Sequence, residues 1–109
     1  MNLQSLTHDF SLININTVLP GLLAGNAVIM KPSPQTPLVA ERFQEFYERA
    51  GLPPGLLQKV HVGTPSELES LVARPEINHV AFTGSVAGGL LVQKAAIGSF
   101  KSCTRTRLR

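Results

Sequence analysis

A chain of 109 residues with 43% apolar and 16% charged side chains is long enough for one domain with one modest core and too short for two. That apolar content excludes a disordered chain. The net charge of +3 is unevenly spread: residues 1–100 carry six basic and seven acidic side chains, whereas residues 101–109 carry four basic ones and no acid, so the basic character belongs to the tail.

The lone Cys103 excludes an intrachain disulfide. No apolar run approaches the ~20 residues of a membrane span, and residues 1–10 lack the basic start and apolar block of a secretory leader. A cytoplasmic chain without a membrane partner is therefore expected.

In chain order, residues 1–11 read as an irregular segment. Residues 12–24 read as a helix weakened by Pro20 and Gly21 and stopped at Gly25-Asn26. Ala27–Lys31 is a short apolar strand ended by Pro32 and Pro34. Thr36-Pro37 is an N-cap followed by a first-turn proline, and Val39, Phe43, Phe46, Tyr47 and Ala50 make one helical face up to Gly51.

Leu57–Val62 reads as a second strand. Thr64-Pro65-Ser66-Glu67 is a capping box opening a helix with Leu68, Leu71 and Val72 on its buried stripe. His79–Thr83 is a third strand, Gly84-Ser85 a turn, and Ser85 the cap of a last helix carrying Leu91, Val92, Ala95 and Ala96. Helical crossovers between short buried strands imply parallel pairing. The expected fold is α/β: a partial doubly wound, Rossmann-like parallel sheet of about three strands with flanking helices, over residues 12–100. Residues 101–109 are expected to be a disordered basic tail. Three parallel strands would leave open apolar edges, so poor solubility in isolation is expected.

Ligands gather at the carboxyl ends of parallel strands. Lys31, Gly63 and the Gly84-Ser85 turn stand at such ends. A glycine turn running into a helix N-terminus suits a phosphate, and it equally suits a tight strand-to-helix connection. Lys31 suits a ribose or phosphate, or a solvated strand end. His8, His61 and His79 show no metal-ligand spacing and read as structural histidines.

The stretch NTVLPGLLAGNAVIMKPSPQTP at residues 16–37 resembles the aldehyde dehydrogenase family. HVAFTGSVAGG at residues 79–89 resembles that family's phosphate turn, and AGLPPGLLQKVHV between them resembles its linker into the next strand. The resemblance implies a nicotinamide dinucleotide, NAD or NADP, on this sheet. It implies that Lys31 contacts the adenine ribose hydroxyls and that Ser33 and Pro34 line the same turn. Phe82, Thr83, Gly84 and Ser85 would face the pyrophosphate and nicotinamide side, with Gly89 in the helix just after. Many NAD-preferring members carry a glutamate where Pro34 stands, so the choice between the two cofactors stays open.

The family's chemistry is covalent, with a cysteine nucleophile, a glutamate that activates water, and an asparagine oxyanion donor. The asparagine's place falls near His8, in LTHDFS, which does not match. KSCTRTRLR stands where the glutamate stretch is expected, and Cys103 has none of the nucleophile's neighbours. No catalytic residue is therefore assigned. The expectation is an aldehyde dehydrogenase fragment, inactive alone, arising from a truncated or mis-spliced gene product, with a frameshift near residue 100 accounting for the basic, acid-free tail. The alternatives are a non-catalytic nucleotide-binding module associating with full-length homologous subunits, and, ranked last, a nucleic-acid binder using the basic tail.

Overall fold

The computed structural model describes residues 2–5, 17–98 and 101–107. Within them the chain alternates strand and helix: β1 (Asn2–Ser5), α1 (Leu19–Leu23), β2 (Val28–Lys31), α2 (Pro37–Arg49), β3 (Leu57–Lys59), α3 (Pro65–Val72), β4 (His79–Gly84), α4 (Val86–Gly98) and β5 (Ser102–Arg107). The five strands form one sheet in the order β3-β2-β1-β4-β5, and every pairing is parallel. The chain steps outward from β1 to β3, then returns to the far side of β1 to lay down β4 and β5. That reversal is the doubly wound topology.

The expected α/β fold is therefore present, with two more strands than the sequence suggested. β1 lies in the segment read as irregular, and β5 in the segment read as a disordered tail. Neither has an apolar run. Asn2–Ser5 reads NLQS, and Ser102–Arg107 reads SCTRTR. β5 is held instead by backbone pairing along all of β4, from His79↔Ser102 to Gly84↔Arg107. Its Thr residues favour extended backbone, and charged residues suit the outer strand of a sheet. Lys101 joins it to the body: its ammonium donates to the carbonyls of Val72, at 2.5 Å, and Arg74. The Val72 carbonyl is one that the end of α3 leaves open, and the Arg74 carbonyl also accepts from the Ile77 amide at 3.1 Å.

Two cores sit on opposite faces of the sheet. Val18, Val28, Met30, Ala40 and Leu57 are buried beneath α1 and α2 with Leu22, Phe43 and Tyr47. Val72, Ile77, Val80, Phe82, Val92 and Ala96 are buried beneath α3 and α4 with Ile29, Leu68, Leu91 and Cys103. The period of two along a strand makes this division: Val28 and Met30 face one layer, Ile29 and Lys31 the other. α4 is apolar around most of its circumference, and Val86, Leu90 and Ile97 on its outer side are exposed.

The local signals act as expected at most boundaries. Gly51 follows α2 with φ +96° and donates to the Glu48 carbonyl at 3.0 Å, a conformation costly for any residue with a Cβ. The expected helix over 12–24 is seen as α1, and residues 12–16, like His8 and the end of the last helix at 99–100, lie outside the described residues. β3 stops at Lys59, three residues short of the expected Val62. Thr36 precedes α2, but its side chain makes no capping bond.

The capping box at α3 forms. The Thr64 hydroxyl accepts from the Glu67 amide at 3.2 Å, and the Glu67 carboxylate accepts from the Gly63 amide at 2.8 Å. Thr64→Ala is expected to cost about 1 kcal/mol, read as a lower urea midpoint at unchanged slope.

Candidate functional site

The sheet's carboxyl edge brings the sequence-predicted residues into one neighbourhood. In register, Ser5 of β1 pairs with Lys31 on one side and with Phe82 on the other. β1 and β4 border the reversal of strand order, where open parallel sheets collect ligands. Residues paired in a parallel sheet share a face, so Lys31 and Phe82 both lie on the α3/α4 side.

A cleft of about 220 Å³ opens there. Lys31 and Pro34 follow β2 along one wall, Gly63 and Thr64 lead into α3, and Gly88 and Leu91 belong to α4. Leu68, Val62 and Pro65 complete an apolar lining. Of the predicted residues, Lys31, Pro34 and Gly63 line this cleft. Phe82 and Ser85 adjoin it through Gly88: a Cβ on Gly88 would meet the Phe82 ring at 3.0 Å and the Ser85 hydroxyl at 3.3 Å. The absence of a side chain at Gly88 therefore lets the start of α4 approach the Phe82 ring closely.

Gly84 ends β4, and α4 begins at Val86. The Ser85 hydroxyl accepts from the Gly88 amide at 3.2 Å, and the Ser85 carbonyl accepts from Gly89 at 2.9 Å. Ser85 thus caps the helix as its position in sequence predicts. Gly89 is buried, packed where α4 crosses the sheet.

The predicted residues do not all present side chains to one place. Phe82 is 8% exposed and belongs to the α3/α4 core, where its ring supports Gly88. Thr83, also 8% exposed, follows it in the strand and alternates to the opposite face. The Gly63 amide is already bonded to Glu67, so Gly63 lines the cleft without offering its N–H. The Ser33 hydroxyl accepts from the Gln35 amide at 3.4 Å in the turn after Lys31.

Lys31 supplies the cleft's positive charge. Burial lowers its pKa from the ordinary 10.5, because the surrounding protein solvates an ammonium less well than water does. An anionic or hydroxyl-rich ligand beside it would restore that solvation. Sequence reading missed Leu68 and Leu91 as lining residues. Their helical spacing marks them as core-facing, and only the convergence of α3 and α4 turns them into walls.

Cys103 is the only sulfur nucleophile in the sequence. It packs against the core between the sheet and α4, in the row that pairs it with Val80. Residues 101–109 contain no Asp or Glu, so β5 carries no carboxylate. Among the described residues, no helix is long and apolar enough to cross a membrane, and no group of three or more His, Cys, Asp or Glu is placed to hold a metal ion.

The family model for the aldehyde dehydrogenase family matches residues 10–106. The betaine aldehyde dehydrogenase of Rhizobium etli is 44% identical over 85 residues, covering 78% of this chain and 17% of that protein. The N-succinylglutamate 5-semialdehyde dehydrogenase of Novosphingobium aromaticivorans is 42% identical over 77 residues, covering 71% and 16%. Among solved structures, an NAD-dependent benzaldehyde dehydrogenase from Corynebacterium glutamicum superposes with a TM-score of 0.89 at 26% identity, over 97% of this chain and 24% of that one. The chain thus spans about one-sixth of the length of these curated relatives. A match running from residue 10 to residue 106, across both sequence motifs and the whole of β2 to β4, places the chain in the aldehyde dehydrogenase family.

Proposed function

We propose that this chain is the dinucleotide-binding part of an NAD(P)-dependent aldehyde dehydrogenase, and that it binds the cofactor without carrying the oxidation itself. The observation that carries this reading is the cleft joining Lys31, Pro34 and Gly63 to the start of α4 at the carboxyl edge of the sheet. Its apolar walls, Leu68 and Leu91, suit the faces of an adenine ring. Lys31 would donate to the adjoining ribose, and Ser33 and Pro34 would shape the turn beside it. The turn from Phe82 to Ser85, with Gly89 behind it, would take the pyrophosphate, where the first amides of a thirteen-residue helix favour negative charge.

Bound nicotinamide is the hydride acceptor of the family's reaction. This chain's residues would hold the dinucleotide by its adenosine end and pyrophosphate, and no residue is assigned as nucleophile or as water-activating base. The aldehyde's identity and any full-length partner subunit belong to the whole enzyme.

Calorimetric titration of the full chain with NAD+, NADP+ and ADP-ribose tests the reading. Saturable binding of all three is expected, since the cleft faces the adenosine end they share. Absence of both heat and thermal shift with each of them would refute it. Aldehyde-dependent NAD(P)H formation by the pure chain would refute the non-catalytic part. A DNA-binding reading has less support, because Lys101 is bonded to the end of α3 and residues 102–107 are paired into the sheet.

A further inference from the structure

We propose that Ser102, activated by His79, is an acyl-accepting nucleophile beside a second small-molecule cleft, at the amino edge of the sheet and on the face opposite the dinucleotide cleft. His79 opens β4 and Ser102 opens β5, and the two are direct partners in the parallel register. The pairing fixes both side chains next to each other on one face. The Ser102 hydroxyl stands 2.6 Å from His79 Nδ1, and His79 Nε2 stands 3.5 Å from the Thr104 hydroxyl. Nucleophile, base and a third group that orients the base are the elements of an activated serine. In the tautomer that carries its proton on Nε2, the Thr104 hydroxyl accepts from that nitrogen and Nδ1 keeps its lone pair toward the serine O–H.

The fold leaves room for a substrate there. α1 and α2 cover β2 and β3 on this face, and the same face of β4 and β5 holds a cleft of about 300 Å³. His79 and Thr104 form its polar side, and Pro20, Val28 and Ala81 its apolar side. Ser102 is exposed and meets the cleft through the ring of His79, which lines it. An acyl chain on the apolar side would lie across the cleft from His79, whose ring holds the Ser102 hydroxyl.

The step balances with an ester as the only co-reactant. Ser102 Oγ bonds to the carbonyl carbon as its proton passes to His79 Nδ1. The bond from carbon to the leaving oxygen breaks, and that oxygen takes the proton from Nδ1, leaving an acyl-serine. Water then gives a proton to Nδ1 and its oxygen to the carbonyl carbon. The serine–acyl bond breaks, and Oγ regains the proton from Nδ1. Serine and imidazole supply nucleophile and base, so the substrates are small esters with good leaving groups.

The test is p-nitrophenyl acetate hydrolysis by the full chain carrying Cys103→Ala, which removes the neighbouring thiol. Protein-dependent nitrophenolate release is expected, with an acetyl group located on Ser102 by peptide mass spectrometry. Adding Ser102→Ala should slow release by roughly 100-fold, the scale of general-base assistance, and His79→Gln by a similar factor. Ser102 is exposed, so its alanine variant should keep the parent's circular dichroism melting curve. Release that is unchanged in Ser102→Ala, or acetyl found only on residues other than Ser102, would overturn the proposal. So would full rates in His79→Gln.

Discussion

Met30→Ala is expected to lower the free energy of unfolding by about 2–5 kcal/mol, the range for removing a large buried side chain from a packed core. Met30 is 0% exposed and stands among the largest fully buried side chains of the described residues. It stands in β2, which has a strand on each side, and its carbonyl accepts from the Val60 amide at 2.9 Å. Those backbone bonds keep β2 from moving to fill the space. Val28, Ala40 and Leu57 share the same buried cluster, and packed cores relax only partly around a deleted side chain. A domain of this size has a total stability of about 5–15 kcal/mol, so the loss is a large share. In urea the midpoint should fall while the slope stays constant. Leu38→Ala, on an α2 side chain that is 67% exposed, should stay within about 0.5 kcal/mol of the parent. Equal shifts for the two variants would mean that this face of the sheet is not a packed core.

The same sheet shows how far the residues alone reveal the fold. β2 and β4 were legible because both are apolar runs bounded by proline or glycine. α2 and α3 were legible from helical spacing, from Pro37 and Pro65 in their first turns, and from Gly51. β1 and β5 were not, because NLQS and SCTRTR owe their conformation to partners that lie far away in sequence. β5, on the outer edge, needs no apolar signature, whereas β1 is central in the sheet but too short to show one, with Leu3 its single apolar residue. β3 was overread because Val60–Val62 continues its apolar character beyond the last residue that pairs.

The candidate site divides in the same way. The strand-end residues Lys31, Gly84 and Ser85 could be placed from local signals, since each adjoins a proline or glycine that ends a strand. The walls at Leu68 and Leu91 come from two helices converging on one face, which no local pattern encodes. Gly63 could be placed at the cleft, but not its bond to Glu67, because the reciprocal bond of a capping box ordinarily goes to the capping residue's own amide. Phe82 and Thr83 are neighbours in a motif, yet strand alternation sends them to opposite faces.

Lys31→Met is expected to shift stability and binding in opposite directions. Methionine keeps most of the stem's length and apolar packing while removing the charge. In the parent, Lys31's pKa is lowered by burial, so at neutral pH the folded state bears the cost of a poorly solvated ammonium. Removing that charge should raise the melting temperature of the unliganded chain. It should also remove a charged donor from the proposed cofactor cleft, weakening NAD+ or ADP-ribose by roughly 10- to 100-fold, the scale of a hydrogen bond to a charged group. The pH dependence follows from the same shift. As pH rises through the lowered pKa toward 10.5, the folded chain gives up this proton before the unfolded chain does. The burial cost disappears over that window, and Lys31's contribution to stability improves. Ligand affinity should fall over the same window, because the neutral amine loses its charge-assisted bond. Lys31→Arg keeps its charge throughout, so its affinity should stay flat where the parent's declines. Parallel alkaline profiles for the parent and Lys31→Arg, or an affinity unchanged in Lys31→Met, would remove Lys31 from the binding site while leaving the fold untouched.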